Sequence, residues 1–377
     1  MLKDTFKNEL KNYWRDIDKR ILLSFIILFL LGLFFSFSST SSLAGERLNK
    51  DYYFFFYKHL IFMFLAIIIM FVISFIDLNL LKKIIIPFFL IFLILLFLVP
   101  IIGVEAKGAK RWLSLYFFRL QPVEFIKPFF ILVTAWILTS KNIKKNNSSY
   151  IFSFLILISI VILLVNQPDF GQSILIITSW IALVFVSGIN IFLVFAIFLT
   201  FISFAGLLLF LFPEKFGYII TRLKTFYNPS SGDSFQTDKA LEAIKLGGLK
   251  GQGMGEGILK DSVPEAHTDY IIAVVSEEFG SVISILIILL FLYISLRIIK
   301  ICLKQKNDEI KISLCGLAAM LIFQTFIHVG VNTSLLPTTG MTLPFLSYGG
   351  SSLIGSSFLA GIILNFTKNR ASQFLNE

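Results

Sequence analysis

The sequence is short of charge and of metal-binding residues. Only 15% of its 377 residues are charged and 56% are hydrophobic, which excludes a disordered chain and an ordinary soluble domain. It has two cysteines and three histidines, and their spacing matches no zinc site. It also lacks the G-x-x-x-x-G-K-[ST] phosphate loop, so the sequence gives no support for ATP-driven transport.

What the sequence has instead is a series of long apolar runs. A membrane-spanning helix needs ~20 apolar residues to cross ~30 Å of hydrocarbon. The pattern therefore predicts an all-α polytopic membrane protein with about ten transmembrane helices. The predicted spans are 21–40, 54–76, 84–102, 121–139, 150–165, 173–186, 189–212, a segment from 270 or 280 to 296, 312–335 and 343–366. No cleavable signal peptide is predicted, because residues 1–20 are polar and charged.

The distribution of lysine and arginine orients these spans. The connections 77–83, 140–149 and 297–311 are basic and fall on the same side as both termini. Because cytoplasmic loops carry an excess of positive charge, we place this side in the cytoplasm. The same rule accounts for the net charge of +10, so we expect no nucleic-acid partner. Cys302 and Cys315 flank a cytoplasmic loop in this topology, and no disulfide is expected there.

The topology divides the rest of the chain into named segments. Residues 1–20 form a cytoplasmic N-terminal segment and 368–377 a cytoplasmic tail. The long polar segment 213–270 becomes an extracytoplasmic loop between helices 7 and 8. The polar stretch 103–120 also falls outside, although it is cationic. Since insertion disfavours such charge outside, we predict that it serves an anionic ligand such as a phosphate group.

Two opposite charges lie within an apolar run. Glu124 and Lys127 are three residues apart in span 121–139 and so share one helix face. Ionisable groups inside a span normally face a partner or a polar cavity. Two interpretations stay open: a structural ion pair that braces the bundle, and a charged lining for a substrate cavity.

The extracytoplasmic loop ends on a carboxylate at an apolar boundary. Asp269 follows His267, and apolar sequence resumes at Tyr270. Partial desolvation at such a boundary suits a general base. The alternative is that Asp269 caps the helix that enters the next span. In span 312–335, Asn332 and Thr333 are predicted to hydrogen-bond to neighbouring helices.

The same loop carries two further patterns. Residues 236–244 predict a short amphipathic helix at the membrane surface. The glycine cluster 247–257 is typical of a mobile or tightly turned loop, or of a backbone cradle for a lipid-linked ligand.

Five motifs in this order resemble the SEDS family, the RodA, FtsW and SpoVE group of peptidoglycan glycosyltransferases. They are Lys107-Gly108-Ala109-Lys110-Arg111-Trp112, Gln121-Pro122-Val123-Glu124-Phe125-Ile126-Lys127, Gln167-Pro168-Asp169-Phe170-Gly171, Pro264-Glu265-Ala266-His267-Thr268-Asp269 and Leu343-Pro344-Phe345-Leu346-Ser347-Tyr348-Gly349-Gly350-Ser351-Ser352. The resemblance covers a transmembrane domain from 21 to 367. It implies ten transmembrane helices and polymerisation of lipid II on the outer face of the membrane.

The resemblance also implies roles for particular residues. Asp269 matches the family's catalytic loop aspartate, and it would take the proton of the attacking sugar hydroxyl. With the charges noted above, the predicted binding residues for lipid II and pyrophosphate are Lys107, Arg111, Trp112, Arg119, Glu124, Lys127, His267 and Ser351. A divalent cation, Mg²⁺ or Mn²⁺, is expected near the pyrophosphate, with no residues assigned to it.

Within the family, the chain resembles the cell-division member FtsW most closely, through the motifs that begin at Lys107 and Pro264 and the run 340–345. This implies a bacterial cytoplasmic membrane protein at the division septum. The implied partners are a class B penicillin-binding protein and other divisome proteins, besides lipid II and the undecaprenyl-pyrophosphate-linked glycan. The alternatives are a lipid II flippase and a RodA-type elongation polymerase. A flippase needs a charged path through the bilayer, whereas the unusual polar residues gather at one face.

Overall fold

The computed structural model describes residues 2–39, 53–106, 108–115, 118–140, 148–189, 213–228, 234–259 and 262–368, with isolated positions between 192 and 206. The helices are α1 Leu2–Asp16, α2 Lys19–Ser39, α3 Phe54–Phe75, α4 Leu78–Ile102, α5 Pro122–Thr139, α6 Ser148–Asn166, α7 Phe170–Val186, α8 Pro213–Tyr227, α9 Phe235–Gly247, α10 Ile271–Cys302, α11 Asp308–Asn332 and α12 Gly350–Phe366. The strands are β1 Val104–Ala106, β2 Ala109–Leu115 and β3 Phe118–Leu120.

The helices are those of a multi-pass membrane protein. Seven of the described helices are long and apolar enough to cross a membrane, namely α2, α3, α4, α5, α6, α10 and α11. Helices α7 and α12 are apolar but shorter. The predicted span 189–212 falls mostly outside the described residues.

Close helix packing depends on glycines in α12. A Cβ on Gly355 would lie 2.5 Å from the carbonyl oxygen of Glu124 in α5. A Cβ on Gly361 would lie 2.8 Å from the carbonyl oxygen of Met70 in α3. Small residues let helix backbones approach within a bilayer, where packing rather than the hydrophobic effect joins helices. Helix α12 is therefore fixed between α3 and α5.

The sheet corrects the all-α prediction. The stretch 103–120 contains three antiparallel strands in the order β1-β2-β3. Strand β1 turns into β2 at Gly108, whose φ of +75° is readily adopted by glycine. Hydropathy alone predicted an undefined polar loop here, whereas strand pairing satisfies its backbone groups and gives its side chains fixed directions.

Helix α10 differs from the prediction in its length and in a break. Its helical structure begins at Ile271 and is interrupted at Gly280, where φ is +84°. The two alternative predicted starts, 270 and 280, correspond to the beginning of the helix and to this break. It continues to Cys302, beyond the predicted end at 296. The predicted basic loop 297–311 is thus largely helical. Arg297 lies on this helix and its guanidinium binds Asp18 at 2.7 Å, while Lys300 in the last turn is favourable near a helix C-terminus.

The predicted span 343–366 is wrong at its start. Helix α12 begins at Gly350, and the residues before it form an irregular turn. Pro344 has no backbone N–H, and Phe345 has a φ of +68°, which is not helical. The Leu343 N–H donates to Ser347 Oγ at 2.8 Å and closes this turn.

The described parts of the loop 213–270 contain two helices and the glycine cluster. Helix α9 confirms the helix predicted at 236–244, while α8 was not predicted. The Gln252 N–H donates to the Glu277 carbonyl at 2.8 Å, beside the helix break. A Cβ on Gly247 would lie 1.9 Å from the Ser276 carbonyl oxygen. The cluster thus packs backbone against backbone on α10 and satisfies a carbonyl at the break.

Candidate active site

Asp269 lies directly before α10 but does not cap it. The N-cap residue is Tyr270, and it makes no side-chain capping hydrogen bond. The capping interpretation of Asp269 is therefore wrong. Burial raises the pKa of the Tyr270 phenol, and the neighbouring Asp269 charge raises it further, so the phenol stays protonated beside the carboxylate.

The backbone that carries Asp269 is held at three consecutive carbonyls. His267 O accepts from Tyr348 N at 2.8 Å, Thr268 O from Ser347 Oγ at 2.6 Å, and Asp269 O from Asn332 Nδ2 at 3.0 Å. The donors come from α11 and from the turn before α12. Asn332 Oδ1 also accepts from the Ala273 N–H of α10 at 3.2 Å, so its predicted bond to a neighbouring helix is confirmed, whereas Thr333 donates to Val329 and Gly330 of its own helix. Fixed carbonyls limit the movement of the carboxylate, as a catalytic group requires.

The ring of His267 contacts aromatic side chains. Its centroid lies 5.1 Å from that of Phe55 and 5.6 Å from that of Tyr348. Burial raises the pKa of Tyr348 to about 12. The His267 ring therefore packs between Phe55, in the first turn of α3, and Tyr348. His267 precedes Asp269 by two residues.

Arg111 is directed by strand β2 toward the turn before α7. Its Nε donates to the Gln167 carbonyl at 3.1 Å and its Nη2 donates to the Pro168 carbonyl. Its Nε also lies 4.0 Å from Asp169 Oδ2. These contacts orient the guanidinium, whose side chain is 18% exposed.

Arg111 and Asp269 meet at Gly340. A Cβ built on this glycine would lie 3.5 Å from Asp269 Oδ2 and 3.7 Å from Arg111 Nη1. The sequence predicted both residues for the site, and the fold brings them together from positions far apart in the chain. A carboxylate and a guanidinium that flank one small space can accept a proton and stabilise negative charge within a few ångströms.

Two further charged residues interact electrostatically with Arg111 and were not predicted. Asp169 is 2% exposed; burial raises its pKa, and the positive charge of Arg111 partly offsets this. Arg222 of α8 donates to the Thr338 carbonyl at 3.0 Å. Burial lowers the pKa of Arg222, and repulsion from Arg111 lowers it further. Two guanidiniums that repel each other favour an anionic ligand between them.

The remaining candidates of the sheet region are placed differently. Lys107 lies outside the described residues. Trp112 is partly buried on β2, opposite Val104. The Arg119 side chain is exposed, and its carbonyl accepts from Ser351 Oγ at 3.0 Å. Ser351 therefore joins β3 to the start of α12.

Glu124 and Lys127 form the buried ion pair that one interpretation predicted. Lys127 Nζ lies 2.7 Å from Glu124 Oε2, and each side chain is 4% exposed. Lys127 also donates to Gln324 Oε1 at 3.3 Å, and Gln172 Nε2 donates to Glu124 Oε1 at 2.7 Å. The cavity beside the pair measures about 10 Å³, which holds about one water molecule.

The described part of the chain offers no cluster of protein ligands for the expected divalent cation. There, no group of three or more His, Cys, Asp or Glu side chains could hold a metal ion. The neighbour of Asp269 across Gly340 is a guanidinium, which is not a metal ligand. These residues do not fit a cation held by the protein alone.

The small space at Gly340 leads to a specific prediction. Gly340→Ala places a methyl group against Asp269 and Arg111 and forces alanine to a φ of +67°. We expect turnover to fall about tenfold to a hundredfold, because the methyl group occupies space between the carboxylate and the guanidinium that the reacting atoms need, and a ~1 Å misplacement of those atoms has effects of this size. Initial rates at saturating substrate measure it.

Gly188→Ala is the matched control, because Gly188 has a φ of +90° and a Cβ built on it would meet no atom within 4 Å. It carries the backbone strain without filling the site, and its turnover should stay near wild type. Equal rates for the two variants would show that the space at Gly340 has no role in catalysis.

The comparisons with known proteins cover nearly the whole chain. The family model described as a cell cycle protein, FtsW/RodA/SpoVE, matches residues 19–372. A probable peptidoglycan glycosyltransferase FtsW of Caulobacter vibrioides is 32% identical over 98% of this chain and 94% of its own length. Stage V sporulation protein E of Bacillus subtilis is 32% identical over 93% of this chain and 97% of its own.

Solved structures share the fold. A chain of a peptidoglycan synthase complex that coordinates polymerization and crosslinking aligns with a TM-score of 0.74 at 24% identity, over 93% of this chain and 97% of that one. Thermus thermophilus RodA, a rod shape determining protein, aligns with a TM-score of 0.69 at 24% identity, over 93% and 96% of the two chains. By sequence and by fold, this chain belongs to the FtsW/RodA/SpoVE family of cell cycle proteins.

Proposed function

We propose that this chain is a peptidoglycan glycosyltransferase that polymerises lipid II into glycan strands at the outer face of the cytoplasmic membrane. The observation that carries the proposal is the meeting of Asp269 and Arg111 at Gly340, in a chain of this family. A proton acceptor beside cationic groups is what the transfer of a sugar from a pyrophosphate requires.

The proposed reaction exchanges one bond at the anomeric carbon. The 4-hydroxyl of the incoming lipid II attacks the anomeric carbon of the growing chain, and its proton passes to the carboxylate of Asp269. The bond from that carbon to the pyrophosphate breaks, and undecaprenyl pyrophosphate leaves. The new glycosidic bond lengthens the strand by one disaccharide.

Arg111 and Arg222 stabilise the departing pyrophosphate in this proposal. Arg111 is oriented by the turn at Gln167 and Arg222 by the carbonyl of Thr338. Their mutual repulsion is relieved when a dianionic group lies between them. A divalent cation bound with the substrate would add positive charge there, and no step is assigned to it.

The relatives support a proposal for the partners and the cellular site. FtsW relatives and a synthase complex that couples polymerization to crosslinking support a class B penicillin-binding protein as the partner. We propose the division septum as the site of action, with other divisome proteins and the lipid-linked glycan as further partners. The loop 213–270 then faces outside, as the positive-inside rule predicts.

The test is a gel assay of the purified full-length chain with lipid II and its transpeptidase partner. Glycan ladders that lengthen with time are the expected result. An absence of ladders, together with transfer of lipid II across protein-containing liposomes, would overturn the polymerase and establish the flippase. The RodA-type role predicts ladders as well, and depletion in cells separates the two, since loss of the division enzyme gives filaments.

A further inference from the structure

The N-terminal helix α1 has an apolar row beside a basic row. Apolar residues recur every four positions at Leu2, Phe6, Leu10 and Trp14. Basic residues recur with the same spacing at Lys3, Lys7, Lys11 and Arg15. Residues four apart lie on one side of a helix, so Leu10 and Trp14 lie beside Lys7, Lys11 and Arg15. This pattern is typical of helices that lie in the plane of a membrane interface.

The structure anchors α1 at the end of a membrane-spanning helix. Tyr13 is 7% exposed, and its hydroxyl lies 2.8 Å from that of Ser74 near the end of α3. Its ring also lies 5.1 Å from that of Phe75. Tyr13 therefore fixes the C-terminal half of the helix against α3.

The exposed residues of α1 include large apolar and basic side chains, beside the polar residues Asn8, Glu9 and Asn12. Leu10 is 39% exposed and Trp14 is 44% exposed, although both are large hydrophobic side chains. Lys7 and Lys11 are exposed beside them. Arg15 lies 3.0 Å from Asp16, so the two lysines are the cations offered to a ligand.

The spans next to α1 also expose apolar side chains. Leu23 of α2 is 58% exposed and Val72 of α3 is 54% exposed, as expected of side chains that face hydrocarbon. Trp14 lies beside the span α3, since its ring centroid is 6.5 Å from that of Phe71. The termini are placed in the cytoplasm by the positive-inside rule, and the cytoplasmic leaflet is the anionic one.

We propose that α1 lies in the cytoplasmic interface of the membrane and binds anionic phospholipid. Leu10 and Trp14 enter the boundary between headgroups and acyl chains, and Lys7 and Lys11 bind the phosphates. This interaction is separate from the lipid II site. Helix α1 contacts Ser74 at the C-terminal end of α3, whereas Phe55, which contacts His267, lies at the N-terminal end of α3.

The test measures the depth and the charge dependence of Trp14. The full-length protein is reconstituted in vesicles of brominated phosphatidylglycerol or of brominated phosphatidylcholine, and its fluorescence quenching is compared with that of Trp14→Phe. The quenching assigned to Trp14 is expected to be stronger in phosphatidylglycerol. In Lys7→Gln/Lys11→Gln it should fall to the phosphatidylcholine level, since each lysine near an anionic surface contributes about fivefold in association.

Lys304→Gln/Lys306→Gln is the matched control, because it removes the same charge from the exposed connection between α10 and α11. It should leave the quenching of Trp14 unchanged. Equal quenching in the two lipids would overturn the role of the anionic headgroup. Quenching of Trp14 fluorescence by an aqueous quencher, with no quenching by brominated lipid, would overturn the proposal as a whole.

Discussion

Asp269→Asn is expected to lower lipid II polymerisation by about a hundredfold to ten-thousandfold, the range that a general base contributes. The amide keeps the shape of the carboxylate but cannot take the proton of the attacking hydroxyl. The backbone carbonyls that hold this residue stay engaged, so the variant should fold normally. The measurement is the rate of glycan ladder formation under single-turnover conditions, with unfolding followed in parallel.

Glu256→Gln is the control for this experiment. Glu256 is an exposed carboxylate in the same loop, and its loss should leave the rate unchanged. Near-normal polymerisation by Asp269→Asn would remove Asp269 from the proposed mechanism. A complete loss of lipid II binding by Asp269→Asn would also contradict a pure proton-transfer role. The substitution does not alter Arg111, so binding of the substrate through Arg111 should persist.

Local patterns were sufficient to name two residues that the fold brings together in the candidate site. Asp269 was identified by its position at an apolar boundary and by a family motif, and Arg111 by its positive charge in a segment predicted to lie outside. Both predictions depend on a short stretch of sequence. Their approach at Gly340 depends on the strand that directs Arg111 and on the turn that holds Gly340, and hydropathy indicates neither.

The residues that were missed have their partners far away in the chain. Arg222 donates to Thr338, and its relation to Arg111 and Asp169 exists only after folding. A spacing of Phe216, Ile219 and Leu223 within α8 was the available signal that this part of the loop is helical. The structure of the glycine cluster 247–257 could not be predicted for the same reason, because the cluster packs on the break at Gly280 in α10.

The Glu124–Lys127 pair supports the second large prediction. Lys127→Met alone should lower the free energy of unfolding by about 3–5 kcal/mol, because it leaves the Glu124 charge buried without its partner. Glu124→Gln/Lys127→Met should recover most of this loss, since neither buried charge remains. The midpoint of thermal unfolding in detergent, measured for both variants beside wild type, tests the difference.

Polymerisation is expected to stay low in the double variant even where stability returns. Lys127 Nζ donates to Gln324, and Gln324 Nε2 donates to the Thr342 carbonyl at 3.1 Å. This chain of contacts supports the turn that begins at Gly340, beside Asp269, so loss of the ammonium group loosens the site without removing a proton acceptor. Recovery of both stability and activity would show that the pair only neutralises charge. A double variant as unstable as Lys127→Met would contradict the ion pair as the source of the loss.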